Sequence, residues 1–104
     1  MTEKTRDFDP LHPGEVLLEE YLKPLAISQN RLALSMRVPA QRISELVQQK
    51  RAVTADTAIR LAAVIGTTPE FWLSLQLNYD LQTTLQEKGK EIARDIRPIP
   101  VQVK

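Results

Sequence analysis

The chain has no cysteine, an absence that removes disulfides, thiolate catalysis and thiolate metal sites together. Histidine occurs once, at position 12, too few for a histidine-built metal centre, so no metal and no cofactor is expected. Glycine is scarce, with three residues, and none opens a phosphate-cradling loop. No nucleophile–base pair is apparent either, and the expectation is a protein that is not an enzyme. No apolar run approaches the roughly 20 residues that span a bilayer. The segment from Met1 to Asp7 is too polar for a secretory signal, which points to a cytoplasmic protein without a membrane partner.

Aromatic residues make up only 5% of the 104 positions while hydrophobic residues make up 42%, so the interior is built on Leu, Ile, Val and Ala. That length fits a single helical domain. Three parts are expected: a polar lead over residues 1–10, a domain over 11–86, and a C-terminal extension over 87–104 that is partly helical or extended.

The most informative stretch is 28–48. Leu32, Ala33 and Met36 mark one short amphipathic helix, and Ile43, Leu46 and Val47 mark a second, with Arg37, Val38 and Pro39 between them. Ser28 suits an N-cap, Ala33 a close helix approach, Val38 an apolar plug, and Pro39 the first turn of the second helix. This is a helix-turn-helix pattern. With Ile43, Leu46 and Val47 inward, Ala40, Gln41, Ser44, Glu45 and Gln48 fall on or beside the outer face, and Arg42 flanks it.

Residues at the start of such a helix reach base edges in the major groove. Gln41 is the first candidate, since its amide pairs bidentately with adenine; Arg42 is the second, by reaching guanine or a phosphate. Ser44 and Gln48 complete the candidate reading set. Glu45 is ambiguous, able to accept from cytosine N4 or to orient Arg42.

The net charge of +1 conceals an uneven distribution. Residues 27–51 carry five basic groups and one acidic, whereas residues 1–26 carry three basic and six acidic. A basic segment of this kind is the footprint that a phosphate backbone selects, and Gln29, Asn30, Arg31, Lys50 and Arg51 are the candidate phosphate contacts.

Around this centre the pattern predicts three more helices. His12, with a structural role, and Pro13 open the first, whose Val16, Leu17, Tyr21 and Leu22 face inward and which Pro24 ends. Thr54 caps a helix over 55–65 with Ala58, Leu61, Ala62 and Ile65 inward and Gly66 closing it. Thr68, Pro69 and Glu70 open the last, which carries Phe71, Trp72, Leu75 and Tyr79. Its Leu73, Leu77, Leu81 and Leu85 exceed what one face of a small bundle hides, and Leu73, Leu77 and Leu81 are read as a homodimer interface. Ile92 and Ile96 fit a frayed helical continuation, and 98–103, with Pro98 and Pro100, is either a strand-adding end or a disordered tail.

These residues resemble the HigA-type antitoxins, also labelled virulence-associated protein I, a branch of the Xre-like, lambda-repressor-like helix-turn-helix family. The likeness is carried by the runs 12–17, 28–33, 42–46, 50–58, 60–62 and 66–73, and covers about residues 11–82. The blocks 54–58 (Thr-Ala-Asp-Thr-Ala) and 69–73 (Pro-Glu-Phe-Trp-Leu) are specific to that branch. The resemblance implies an all-α, five-helix lambda-repressor-like DNA-binding fold, a homodimer bound to double-stranded operator DNA, and repression of its own operon. It further implies neutralisation of a small basic RelE-fold, mRNA-cleaving toxin of the HigB type. It also implies a phosphate contact for Gln29, a base-reading position for Gln41 and a backbone-tracking loop for Lys50 and Arg51. One departure stands out: Arg37 occupies a turn position usually held by glycine, where a positive φ is expected. Two other functions compete, an inhibitor that meets a basic toxin chiefly through the acidic Glu3, Asp7, Asp9, Glu15, Glu19 and Glu20, and a stand-alone regulator without a toxin.

Overall fold

The computed structural model describes residues 9–100 and contains five helices and no strand among them. The first helix, α1, runs through Pro13–Val16, a π-helical stretch Leu17–Leu22 and Lys23–Leu25. The others are α2 (Gln29–Met36), α3 (Ala40–Val47), α4 (Ala55–Ile65) and α5 (Pro69–Asp95). The expected all-α architecture is what forms. The expected polar lead lies almost wholly outside the described residues, as does the end of the 98–103 segment; residues 96–100 are exposed and non-helical.

Four of the five helix starts follow from a local side chain. Ser28 Oγ accepts from the Arg31 N–H at 3.0 Å, Thr54 Oγ1 from the Thr57 N–H at 3.3 Å, and Thr68 Oγ1 from the Phe71 N–H at 3.1 Å. His12 does the same for α1, its Nδ1 accepting from the Gly14 N–H at 2.9 Å. That ring is 3% exposed and packs edge-on against Tyr79, with centroids 4.8 Å apart. Its role is therefore structural, as expected, and burial pushes its pKa below the ordinary 6.5 despite Asp80 and Glu15.

Helix ends are less conventional. Glycine closes only α4, where Gly66 has φ 93°. Ala26, Arg37 and Gln49 take left-handed conformations, with φ of 55°, 60° and 64°. Each sits in a paired closing pattern: Val38 N–H to Ala33 O at 3.1 Å with Arg37 N–H to Leu34 O at 3.2 Å is one, and Lys50 N–H to Glu45 O at 2.8 Å with Gln49 N–H to Leu46 O at 2.9 Å is another. Arg37 thus keeps the glycine-type angle; the turn is not remodelled.

Two expectations about prolines need correction. Pro24 lies inside α1 rather than ending it. The wide turn before it, in which the Lys23 N–H bonds to Leu18 O, displaces the carbonyl that a proline ring would strike in a regular α-helix. Pro39 is the N-cap of α3, with φ −62° and ψ 144°, so the first helical residue is Ala40.

The core gathers Val16, Leu17 and Leu22 of α1, Leu32, Ala33 and Met36 of α2, Ile43 and Leu46 of α3, Ala58 and Leu61 of α4, and Trp72 of α5. Val47, expected inside, is half-buried at the core's edge. Trp72 is 0% exposed, with its indole N–H donating to Thr67 Oγ1 at 2.7 Å. Gln76 is a buried polar residue of α5: its Oε1 accepts from the Val53 N–H at 2.8 Å while its Nε2 donates to Asp80 Oδ1 at 2.9 Å. It fastens the loop after α3 to the longest helix. Gly14 closes the other side, since a Cβ there would collide with the Leu46 carbonyl at the end of α3. Both contacts hold the C-terminal side of the reading-helix candidate.

Candidate nucleic-acid interface

The surface of interest begins at the N-terminus of α2. Ser28 occupies the cap, Gln29 is half-buried in the first turn, and Asn30 and Arg31 are exposed beside it. The unpaired N–H groups of a helix start and an exposed arginine together suit a phosphate.

On α3 the division between inside and outside is sharp. Ile43 and Leu46 are 0% exposed, whereas Gln41 and Gln48 are exposed and Ser44 and Glu45 half-buried. The outer side chains are joined to one another. Gln41 Nε2 donates to Glu45 Oε2 at 2.8 Å, and Gln48 Nε2 donates to Ser44 Oγ at 2.9 Å. Arg51 reaches back from the following loop, donating to Glu45 Oε1 from Nε at 3.1 Å and Nη2 at 2.8 Å. Glu45 orients Arg51, so orienting Arg42, one of its two alternative uses, is not what the structure shows. Hydrogen bonds from Arg51 and Gln41 hold the Glu45 carboxyl below its usual range, so it is ionised at neutral pH. Lys50 is exposed next to this group.

Arg42 is engaged elsewhere. Its Nη1 donates to Asp56 Oδ2 at 3.0 Å, the oxygen that also accepts from Arg60 Nε at 3.0 Å. Arg60 Nη1 in turn donates to Met36 O at 2.9 Å, the final residue of α2. The hydrogen bond from Arg60, helped by that from Arg42, outweighs desolvation and keeps Asp56 below its usual carboxylate value. Asp56 and Arg60 together therefore tie α2, α3 and α4, and Arg42 approaches a base only by leaving the carboxylate. Sequence reasoning missed Asp56 and Arg60 in this role. Their spacing of four residues was a visible signal for a pair on one helix, but not for the carbonyl of α2 that completes it.

The structure brings Gln41 and Arg51 together on Glu45 and pairs Gln48 with Ser44, two hydrogen-bonded groups on or beside the outer face of α3. Among the described residues no group of three His, Cys, Asp or Glu side chains is placed to hold a metal ion, and no helix is long and apolar enough to cross a membrane. On α5, Leu77 and Leu81 are 69% and 52% exposed, but Leu73 is half-buried and packs on the chain's own core. Leu73 is thus partly committed to the monomer, because it lies one residue from Trp72 and close to the core-facing side.

A helix-turn-helix family model matches residues 18–72. Virulence-associated protein I of Dichelobacter nodosus is 46% identical over 78 residues, which cover 75% of this chain and 72% of that one. Antitoxin HigA-1 of Vibrio cholerae is 39% identical over 90 residues, covering 86% and 84%. The chain belongs to the HigA-type branch of the Xre-like helix-turn-helix family. A solved structure of Pseudomonas aeruginosa antitoxin HigA with the higBA promoter superposes on this HigA-type fold with a TM-score of 0.83 at 38% identity, covering 88% of this chain and 99% of that one. The match to the family model includes α2, α3 and α4 of the HigA-type chain entire and stops at Trp72. Most of α5 continues beyond it.

Proposed function

We propose that this chain is a sequence-specific DNA-binding repressor and the antitoxin of a HigB/HigA-type module. As a homodimer it sets two copies of α3 into successive major grooves of double-stranded operator DNA, about 34 Å apart. Gln41, Ser44 and Gln48 read base edges, and Arg42 joins them when its pair with Asp56 opens. Gln29, Asn30, Arg31, Lys50 and Arg51 meet phosphates and fix register. Leu77 and Leu81 carry the dimer contact with Leu73 at its margin. The partner neutralised is a small basic RelE-fold ribonuclease.

The observation that carries this reading is the outer face of α3, where exposed amides stand over two fully buried aliphatic anchors. The promoter complex of the Pseudomonas aeruginosa relative supports it. In a binding titration against the duplex that the wild-type chain enriches from a randomised pool, and against a shuffled duplex, Gln41→Ala loses about 1–3 kcal/mol on the first and little on the second. Lys50→Ala weakens both and flattens the salt dependence. Equal losses on both duplexes for Gln41→Ala contradict its reading role. Co-purification of the tagged chain with a small basic protein encoded beside it tests the antitoxin part; isolation of the chain alone from cells expressing both contradicts it.

A further inference from the structure

Glu45 is the puzzling member of the surface, because an acidic side chain in the last turn of the proposed reading helix is repelled by phosphate. Its geometry gives it a use. A carboxylate only accepts, so the Gln41 amide must turn its Nε2 toward Glu45 and its carbonyl oxygen away, leaving that oxygen and one N–H for a base. The other carboxylate oxygen takes two of the five N–H groups of Arg51, leaving three for a phosphate. One acid therefore sets the sense of an amide and the aim of a guanidinium, on opposite sides of itself.

We propose that Glu45 is a specificity-determining positioning residue, which locks Gln41 in the amide orientation that pairs with adenine and couples that reading to the phosphate contact of Arg51. This rests on the DNA-reading role proposed above. Adenine presents an acceptor at N7 and a donor at N6, the complement of a side-chain carbonyl and N–H held side by side. Without Glu45 the amide is free to flip and to rotate. Arg51 then becomes an untethered cation, equally suited to any phosphate. The acid thus trades general affinity for discrimination: its charge weakens every DNA complex, and its hydrogen bonds strengthen the matched one.

The test uses fluorescence anisotropy with the duplex that the wild-type chain enriches from a randomised pool and a shuffled duplex of the same length. Glu45→Ala is expected to bind the enriched duplex about tenfold more weakly, the scale of one lost bidentate pair, and to bind the shuffled duplex as tightly or more tightly. Its own enrichment from the pool loses the base preference at the same position as Gln41→Ala does. The double variant loses less than the two single losses combined, the signature of residues acting as one unit. Glu45→Gln, which keeps an acceptor oxygen, falls between Glu45→Ala and wild type. A thermal midpoint unchanged from wild type separates this role from a merely structural one. Equal weakening on both duplexes, undiminished discrimination, or additive losses overturn the role of Glu45 while leaving Gln41 as the reader. A wild-type chain that enriches no sequence overturns the DNA-reading role and this inference with it.

Discussion

Gly14 and His12 set how the start of α1 lies against α3 and α5. The absence of a Cβ at Gly14 lets the start of α1 lie against the Leu46 carbonyl and the backbone of Val47. Gly14→Ala must separate the two helices, and the expected loss in a urea denaturation is about 3 kcal/mol, the upper range for overpacking, with DNA binding weakened in parallel; an unchanged midpoint contradicts the close approach. His12 caps the same helix through an unprotonated Nδ1. Because burial lowers its pKa in the folded protein, the unfolded chain takes up the proton first. The stability that the neutral ring contributes is therefore complete above pH 6.5, the unfolded value, and is lost as pH falls toward the lower folded value. Denaturation midpoints measured between pH 7.5 and about 5 should fall for wild type and fall less for His12→Asn, which keeps a capping oxygen without titrating there. Parallel curves for the two proteins would sink this assignment. Neither residue's task was legible in the sequence beyond its place at a helix start, since both depend on what α3 and α5 bring alongside.

At the scale of the elements, starts capped by a hydroxyl were legible, as was the glycine-closed end of α4, and the other ends were not. Ser28, Thr54 and Thr68 cap the helices they were expected to cap, because an N-cap bond spans three residues and needs no tertiary partner. Ends that lack glycine leave no such mark. Ala26 and Gln49 close helices in left-handed conformations with no glycine to announce them, and the π-helical stretch that carries α1 past Pro24 has no residue signature either. A left-handed residue with a Cβ is strained by roughly 1–2 kcal/mol, and glycine recovers part of this while losing unfolded-state entropy. Replacing Ala26, Arg37 and Gln49 by glycine is therefore expected to stabilise the protein by about 0.5–1 kcal/mol at each site, read from urea midpoints; destabilisation at any of them contradicts the strain. At Arg37→Gly the gain in stability should come with weaker DNA binding, as one exposed cation is removed beside the reading helix. The outer face of α3 was legible, because Ile43 and Leu46 fix it by periodicity. The links Arg42–Asp56 and Gln76–Val53 were not, for they join positions 14 and 23 residues apart whose proximity only the fold creates.

The whole molecule is a small bundle with one helix that outruns it. The 27 residues of α5 extend about 40 Å at the usual helical rise, and its second half has little of the chain's own core to lie against. Leu77, Leu81 and Leu85 leave one apolar side of this helix in water at 69%, 52% and 51% exposure, spaced four apart. Sedimentation equilibrium should find a dimer for wild type and a monomer for the Leu77→Lys, Leu81→Lys variant, whose Trp72 core is untouched; a wild-type monomer contradicts the interface. The central claim is that α3 and its flanking loop face DNA. Its most direct measurement is an amide chemical-shift map of the 11.8 kDa chain on addition of the enriched duplex. The account predicts that the largest shifts fall at residues 28–31 and 40–51, with the outer half of α5 unmoved. Shifts concentrated on α5 or α1, with Gln41, Ser44 and Gln48 unaffected, would contradict it.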